Sequence, residues 1–233
     1  MRLAAGRLAR DMKVEIFSDV VCPWCYIGHV RFGRAAQAFR DKGGTIEVTM
    51  RPFQLDPDAS PEGEPLLRAL ERKFGGNAGP MTARVTQVAA GEGLDLRFDR
   101  AISTSTFEAH RLVEVATGQG KGEAMAERLF RAHFTDGLNV GDGTVLAKLA
   151  AEVGVTDTGE GAAEVREQLA RARGLGISGV PLFLFEGQFA VSGAQPYETM
   201  TAAIDEVAER IGETPIQQLA APADGCDDGY CAV

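Results

Sequence analysis

Strict alternation of apolar and polar positions occurs in only a few short stretches of this chain, close to its two ends, and the long middle is spaced for helices. Lys13 to Ser18 reads as a short strand bounded by Asp19. From Pro23 to Phe39 the period is helical, with Ile27, Val30, Ala35, Ala38 and Phe39 supplying much of an apolar stripe and Gly43-Gly44 stopping it. Residues 45 to 53 alternate again as a second strand. These pieces make a βαβ unit.

From Pro61 to about Gly154 strand signals vanish. Helix-like stretches at 64–74, 80–91, 105–117, 121–134 and 143–153 are separated by Gly, Pro, Asp or Asn clusters. A further helix at about 160–173 leads to Gly179-Val180-Pro181. Two apolar strands follow, Leu182 to Glu186 and Gln188 to Ser192, with Glu186-Gly187 as the hairpin turn. A last helix runs from about Pro196 to Ile211. This order fits an α/β thioredoxin-like fold carrying an all-helical insertion. Residues 1–60 and 155–212 would form the thioredoxin-like domain, 61–154 the insertion, and 213–233 a flexible tail.

Composition narrows the class without changing that picture. Hydrophobic residues make up 45% of the 233 and charged residues 24%, ordinary globular usage. A formal charge of -9, with acidic residues spread along the chain, argues against nucleic acid and anionic membranes as partners. No apolar run approaches the roughly 18 residues of a spanning helix. The apolar stretches of the first ten residues are too short for a secretory signal, so a cytoplasmic location is expected. Residues 1–11 read as an extension ahead of the first strand.

The four cysteines fall into two close pairs, Cys22 with Cys25 and Cys226 with Cys231. In a cytosolic protein such pairs point to redox exchange or metal more than to structural cross-links. Cys22 stands at the strand-to-helix turn, where the unpaired N–H groups and positive dipole end of the helix favour a thiolate. Cys25, one turn deeper, is placed to resolve a mixed disulfide formed on Cys22. Pro23 suits the first helical turn, where its missing N–H costs nothing. Two other readings are a zinc site shared by the two pairs, for which Cys226 and Cys231 are poorly spaced, and a buried inert pair.

Other residues qualify as helpers. Glu15 sits on a strand expected to be central and covered on both faces, where burial would raise its pKa and fit it to take the proton of Cys25; otherwise it pairs with a basic residue. His29, four residues after Cys25, shares that helix face and would tune the thiolate if charged, or pack against the insertion. Trp24 is either an apolar contact for substrate or buried under the insertion. Cys226 and Cys231 would be a second redox pair on a tail of about 20 residues, long enough to reach the first pair, or a plain terminal disulfide. Gly174 to Gly179 fits the letters of a dinucleotide fingerprint, but follows a helix and precedes a strand, the reverse of the order pyrophosphate binding needs.

Taken together, Phe17 to Gly28, Ser105 to Leu112, Leu129 to Phe134, Gly179-Val180-Pro181 and Val191 to Pro196 resemble the DsbA family of thioredoxin-like proteins, and closely its cytoplasmic FrnE-like branch. The resemblance implies a thioredoxin domain with a helical insertion and protein disulfide oxidoreductase or isomerase activity. It implies Cys22 as nucleophile, Cys25 as resolving thiol, and a cis Pro181 after Val180 shaping the substrate groove. His110 would point from the insertion toward the cysteines, or serve as a hydrogen-bonded core residue. Protein thiols and disulfides would be the substrates, with glutathione or a thioredoxin system as reductant, and no organic cofactor or metal is called for. Pro23-Trp24 departs from the periplasmic relatives and argues against a strongly oxidising role. Related 2-hydroxychromene-2-carboxylate isomerases and kappa-class glutathione transferases carry serine at the position of Cys22. A glutathione-dependent isomerase or transferase of small aromatic metabolites is therefore the main rival, and a non-catalytic binding module is the third reading.

Overall fold

A computed structural model describes residues 11–210. The chain opens with strand β1 (Asp11–Ser18), helix α1 (Pro23–Asp41) and strand β2 (Thr45–Pro52), and closes with helix α7 (Ala162–Gly174), the hairpin β5 (Leu182–Phe185) and β6 (Phe189–Ser192), and helix α8 (Tyr197–Arg210). Four of these strands form one sheet in the order β2-β1-β5-β6. β1 runs parallel to β2, in register from Asp11 opposite Thr45 to Ser18 opposite Pro52, and antiparallel to β5. This is the thioredoxin-like α/β fold. Glu186 and Gly187 both have positive φ, which gives the β5–β6 hairpin its tight turn.

The sheet is covered on both faces, and the period of two decides which side chain goes where. Val14 and Ile16 on β1 point with their partners Phe185 and Phe183 toward α1, where Phe32 stacks on Phe183 at 5.2 Å and lies 6.3 Å from Phe185. On the opposite face Glu15 and Phe17 meet Arg171 of α7.

The insertion lies between β2 and α7. It contains a two-residue strand β3 (Glu64–Pro65), helices α2 (Leu66–Phe74) and α3 (Ala78–Gly91), a second short strand β4 (Ile102–Ser103), and helices α4 (Phe107–Gly118), α5 (Gly122–Arg131) and α6 (Gly143–Val153). β3 and β4 correct the expectation of a strand-free insertion, since Glu64 pairs with Ser103 and Pro65 with Ile102. Two residues are too few to show a period. Pro65, extended at φ -54 and ψ 124, also moves the start of α2 to Leu66. The helix expected over 121–134 is α-helical only to Arg131, then widens into a π-turn over Ala132–Asp136. Among the described residues no helix is long and apolar enough to cross a membrane.

Candidate active site

β1 ends at Ser18, and the turn that follows is fixed by the Cys22 N–H donating to Asp19 O at 3.0 Å. Cys22 is the N-cap of α1, in extended conformation, and its carbonyl accepts from Cys25 N at 3.1 Å and Tyr26 N at 3.2 Å. Its sulfur therefore stands beside the free amino end of a 19-residue helix. Both cysteines are free thiols, Cys22 at 4% exposure and Cys25 at 1%. Burial, then the hydrogen bond and charge of Cys22, push the Cys25 thiol well above the usual range, against smaller opposing contributions from the Ser18 hydroxyl and the Asp19 backbone. The deeper sulfur is thus held protonated.

The loop before β5 closes the site from the other side. The Val180–Pro181 peptide is cis, and the Cys22 thiol faces Val180 O at 3.8 Å. Close approach of α1 to this loop needs the absence of a side chain at Gly28, where a Cβ would stand 3.0 Å from Pro181 Cγ and 3.3 Å from Phe183 Cζ. Cys22 also lines a cavity of about 800 Å³, together with Trp24, Val180 and residues of α2 and α3. Trp24 is half-buried in that wall, between the two outcomes expected for it.

The helper residues divide. Glu15 does not have the raised pKa of a proton acceptor. Burial pushes it up, but bonds to Arg171 Nη1 at 2.8 Å and Nη2 at 2.6 Å, and to Arg51 Nε at 2.5 Å, outweigh burial and hold it below the usual carboxylate range. The paired alternative is the one observed. His29 lies 5.9 Å from the Phe130 ring with its Nδ1 buried and without a partner among the described residues, and burial lowers its pKa, so the charged imidazolium is disfavoured there. His110 reaches the turn. Its Nε2 donates to Phe53 O at 2.9 Å, an acceptor that fixes the hydrogen on that nitrogen, and stands 3.3 Å from Asp19 Oδ1. The second pair, Cys226 and Cys231, and residues 1–10 lie outside the described residues. Asp11, assigned above to the extension, belongs to β1.

Two neighbours were not singled out from the sequence. Asp19, 1% exposed, is a buried carboxylate that binds Leu55 N at 2.8 Å as well as facing His110, and so ties the cysteine turn to the start of the insertion. Its place between a strand and a Cys-x-x-Cys was the available signal. His133, 0% exposed on the π-turn, has no hydrogen-bond partner at either ring nitrogen among the described residues, and burial pulls its pKa to about 4 against the charge of Asp19. Nothing in its spacing marks it.

A buried thiol pair thus stands at a strand-to-helix turn, with Cys22 facing the carbonyl that precedes a cis proline. The chain belongs to the family described as the DSBA-like thioredoxin domain, whose model matches residues 13–205. Its fold is similar to a probable DsbA oxidoreductase from Streptomyces coelicolor, with 37% identity, a TM-score of 0.78, and coverage of 93% of this chain and 97% of that one. The uncharacterized protein YwbO of Bacillus subtilis is 29% identical over 146 residues, which span 61% of this chain and 66% of that relative. More distant structures share the fold. The cytosolic disulfide reductase DsbM from Pseudomonas aeruginosa with glutathione has 22% identity and a TM-score of 0.55 over 84% of this chain and 99% of that one. A 2-hydroxychromene-2-carboxylate isomerase has 12% identity and a TM-score of 0.62 over 86% and 98%.

Proposed function

We propose that this protein is a thiol–disulfide oxidoreductase of protein thiols, working through Cys22 and Cys25. The observation that carries the reading is the placement of Cys22 as N-cap of α1, its thiol against the Val180 carbonyl, with the buried Cys25 thiol one turn deeper in the same helix. The Cys22 thiolate attacks one sulfur of a substrate disulfide. A Cys22–substrate bond forms, the old S–S bond breaks, and the other substrate sulfur leaves as a thiolate. Cys25 then gives up its proton and attacks the Cys22 sulfur. The second substrate sulfur is released as the Cys22–Cys25 bond closes, and two electrons have passed to the substrate. Run backward, the same steps oxidise a dithiol.

Val180 and Pro181 form the wall against which the substrate backbone lies, with Trp24 as an apolar contact. Glutathione or a thioredoxin-like dithiol would restore the reduced pair, a reading in keeping with the glutathione held by DsbM. Separate Cys22→Ser and Cys25→Ser substitutions test the proposal on a disulfide-bonded protein substrate. Exchange should be lost in the first, and a trapped mixed disulfide on Cys22 should accumulate in the second. A Cys22→Ser protein that kept a glutathione-dependent activity on a small aromatic substrate would replace this reading with the isomerase one.

A further inference from the structure

Exchange with protein thiols does not account for the cavity of about 800 Å³ beside Cys22. That volume lies within the range of roughly 300 to 1,000 Å³ typical of small-molecule sites. Its roof is α2, an amphipathic helix whose Leu66, Leu70 and Phe74 recur every four residues, the spacing of a core-facing stripe. None of the residues of α2 is buried. The stripe lines the cavity instead, together with Trp24, Val180 and Met81 of α3. Several polar groups on the wall have protein partners: Asp19 faces His110 and binds Leu55 N, Glu64 binds Arg72, and Thr104 binds the Ser60 and Pro61 carbonyls. Asp58, Lys73 and Thr106 also line it, so what the cavity offers an occupant is a largely apolar surface with a polar part, around one reactive sulfur.

We infer that this chamber takes the alkyl or aryl arm of a small organic disulfide and presents its sulfur to Cys22, giving the protein a second activity as a reductase of apolar low-molecular-weight disulfides. The inference rests on the exchange chemistry proposed above and adds a substrate class to it. The reduced pair and R–S–S–R give the Cys22–Cys25 disulfide and two R–SH. The two thiol protons pass to the two released sulfurs, and the substrate S–S bond is replaced by the protein's own.

The test is a single-turnover series on the full reduced chain with dimethyl, diethyl, dipropyl and dibutyl disulfide, and with bis(2-hydroxyethyl) disulfide as a polar match in size to the dipropyl compound. Formation of the Cys22–Cys25 disulfide is read by mass spectrometry of the peptide that contains it, and rates are normalised to a free small thiol. Each methylene that enters the chamber should raise the normalised rate about fourfold, and the hydroxyethyl compound should lag dipropyl by about tenfold or more. Leu70→Asp and, independently, Met81→Asp should cut the dibutyl-to-dimethyl ratio by about tenfold, while Leu70→Met should restore it. Folding is checked by thermal circular dichroism. A flat series, or a steep series unmoved by either folded aspartate variant, overturns the chamber assignment and leaves the exchange proposal standing. If no disulfide of the set oxidises the pair but a disulfide-bonded protein substrate does, the chamber reading alone fails; if neither does, the exchange proposal fails with it.

Discussion

The insertion contains two kinds of amphipathic helix. In α4 and α5 the apolar stripe is closed against protein: Leu112, Met125, Leu129 and Phe130 are all fully buried, and Phe130 stacks on Tyr26 of α1 at 5.1 Å. In α2 a stripe of equal regularity, Leu66, Leu70 and Phe74, lines a cavity and is only half-buried, with Leu66 and Leu70 touching the edge of the core. Periodicity reports only that one face avoids water; it does not say whether protein or a ligand covers that face. Thus α4 and α5 hold the insertion on the thioredoxin core, whereas α2 is a wall of the cavity beside Cys22.

The largest expected effect sets those two stripes against each other. Leu129, at 0% exposure, leaves a void when cut to alanine, so Leu129→Ala should cost about 2–5 kcal/mol of unfolding free energy. Leu70→Ala, at a half-buried position, should cost less than about 1 kcal/mol. Urea denaturation of both variants measures the contrast. Equal losses would mean that α2 is part of the structural core, as α5 is.

His133 sharpens the same contrast from within the packed half. It follows α5, meets Phe134 edge-on at 4.4 Å, and has no hydrogen-bond partner for either nitrogen among the described residues. With a folded pKa of about 4 against an ordinary 6.5, the unfolded chain takes up a proton between those values and the native one does not. Stability must therefore fall as pH drops from 6.5 toward 4, by up to about 1.4 kcal/mol per pH unit from this residue. His29, also depressed by burial, acts with the same sign. His133→Phe should flatten the acid limb of a stability-versus-pH curve measured by urea titration. A limb as steep as in the parent would show that water or another partner reaches the ring.

Much of this was legible where local chemistry and tertiary packing agree. The helix over 143–153 emerged with correct ends because Asp142 caps it through Thr144 N and Val145 N and Gly154 closes it at φ 72. The Cys22–Cys25 turn and the Glu186-Gly187 hairpin were legible from the residues themselves, whereas the cis Val180-Pro181 bond followed from the family resemblance. What stayed hidden depends on partners distant in sequence. Arg51 and Arg171 stand 36 and 156 residues from Glu15, and no spacing rule connects them. The chamber is formed by segments from Asp19 to Val180, and the π-turn after Arg131 lies inside a pattern that continues as a helix.

Glu15 gives the smallest effect and the most direct check on which residues belong to the site. If it is an anchor that joins β1 to β2 and α7, Glu15→Gln should cost about 0.5–1 kcal/mol near neutral pH, the scale of a partly exposed ion pair. A carboxylate held below its ordinary pKa of 4.5 stabilises the fold above that value and loses the contribution as pH falls through the lower folded value. The stability difference between parent and variant should therefore close below about pH 4. The pH profile for release of the mixed disulfide by Cys25 should stay the same in both. A profile displaced in Glu15→Gln would return Glu15 to the role of proton acceptor for the buried thiol and move the sheet face beneath α7 from scaffold to machinery.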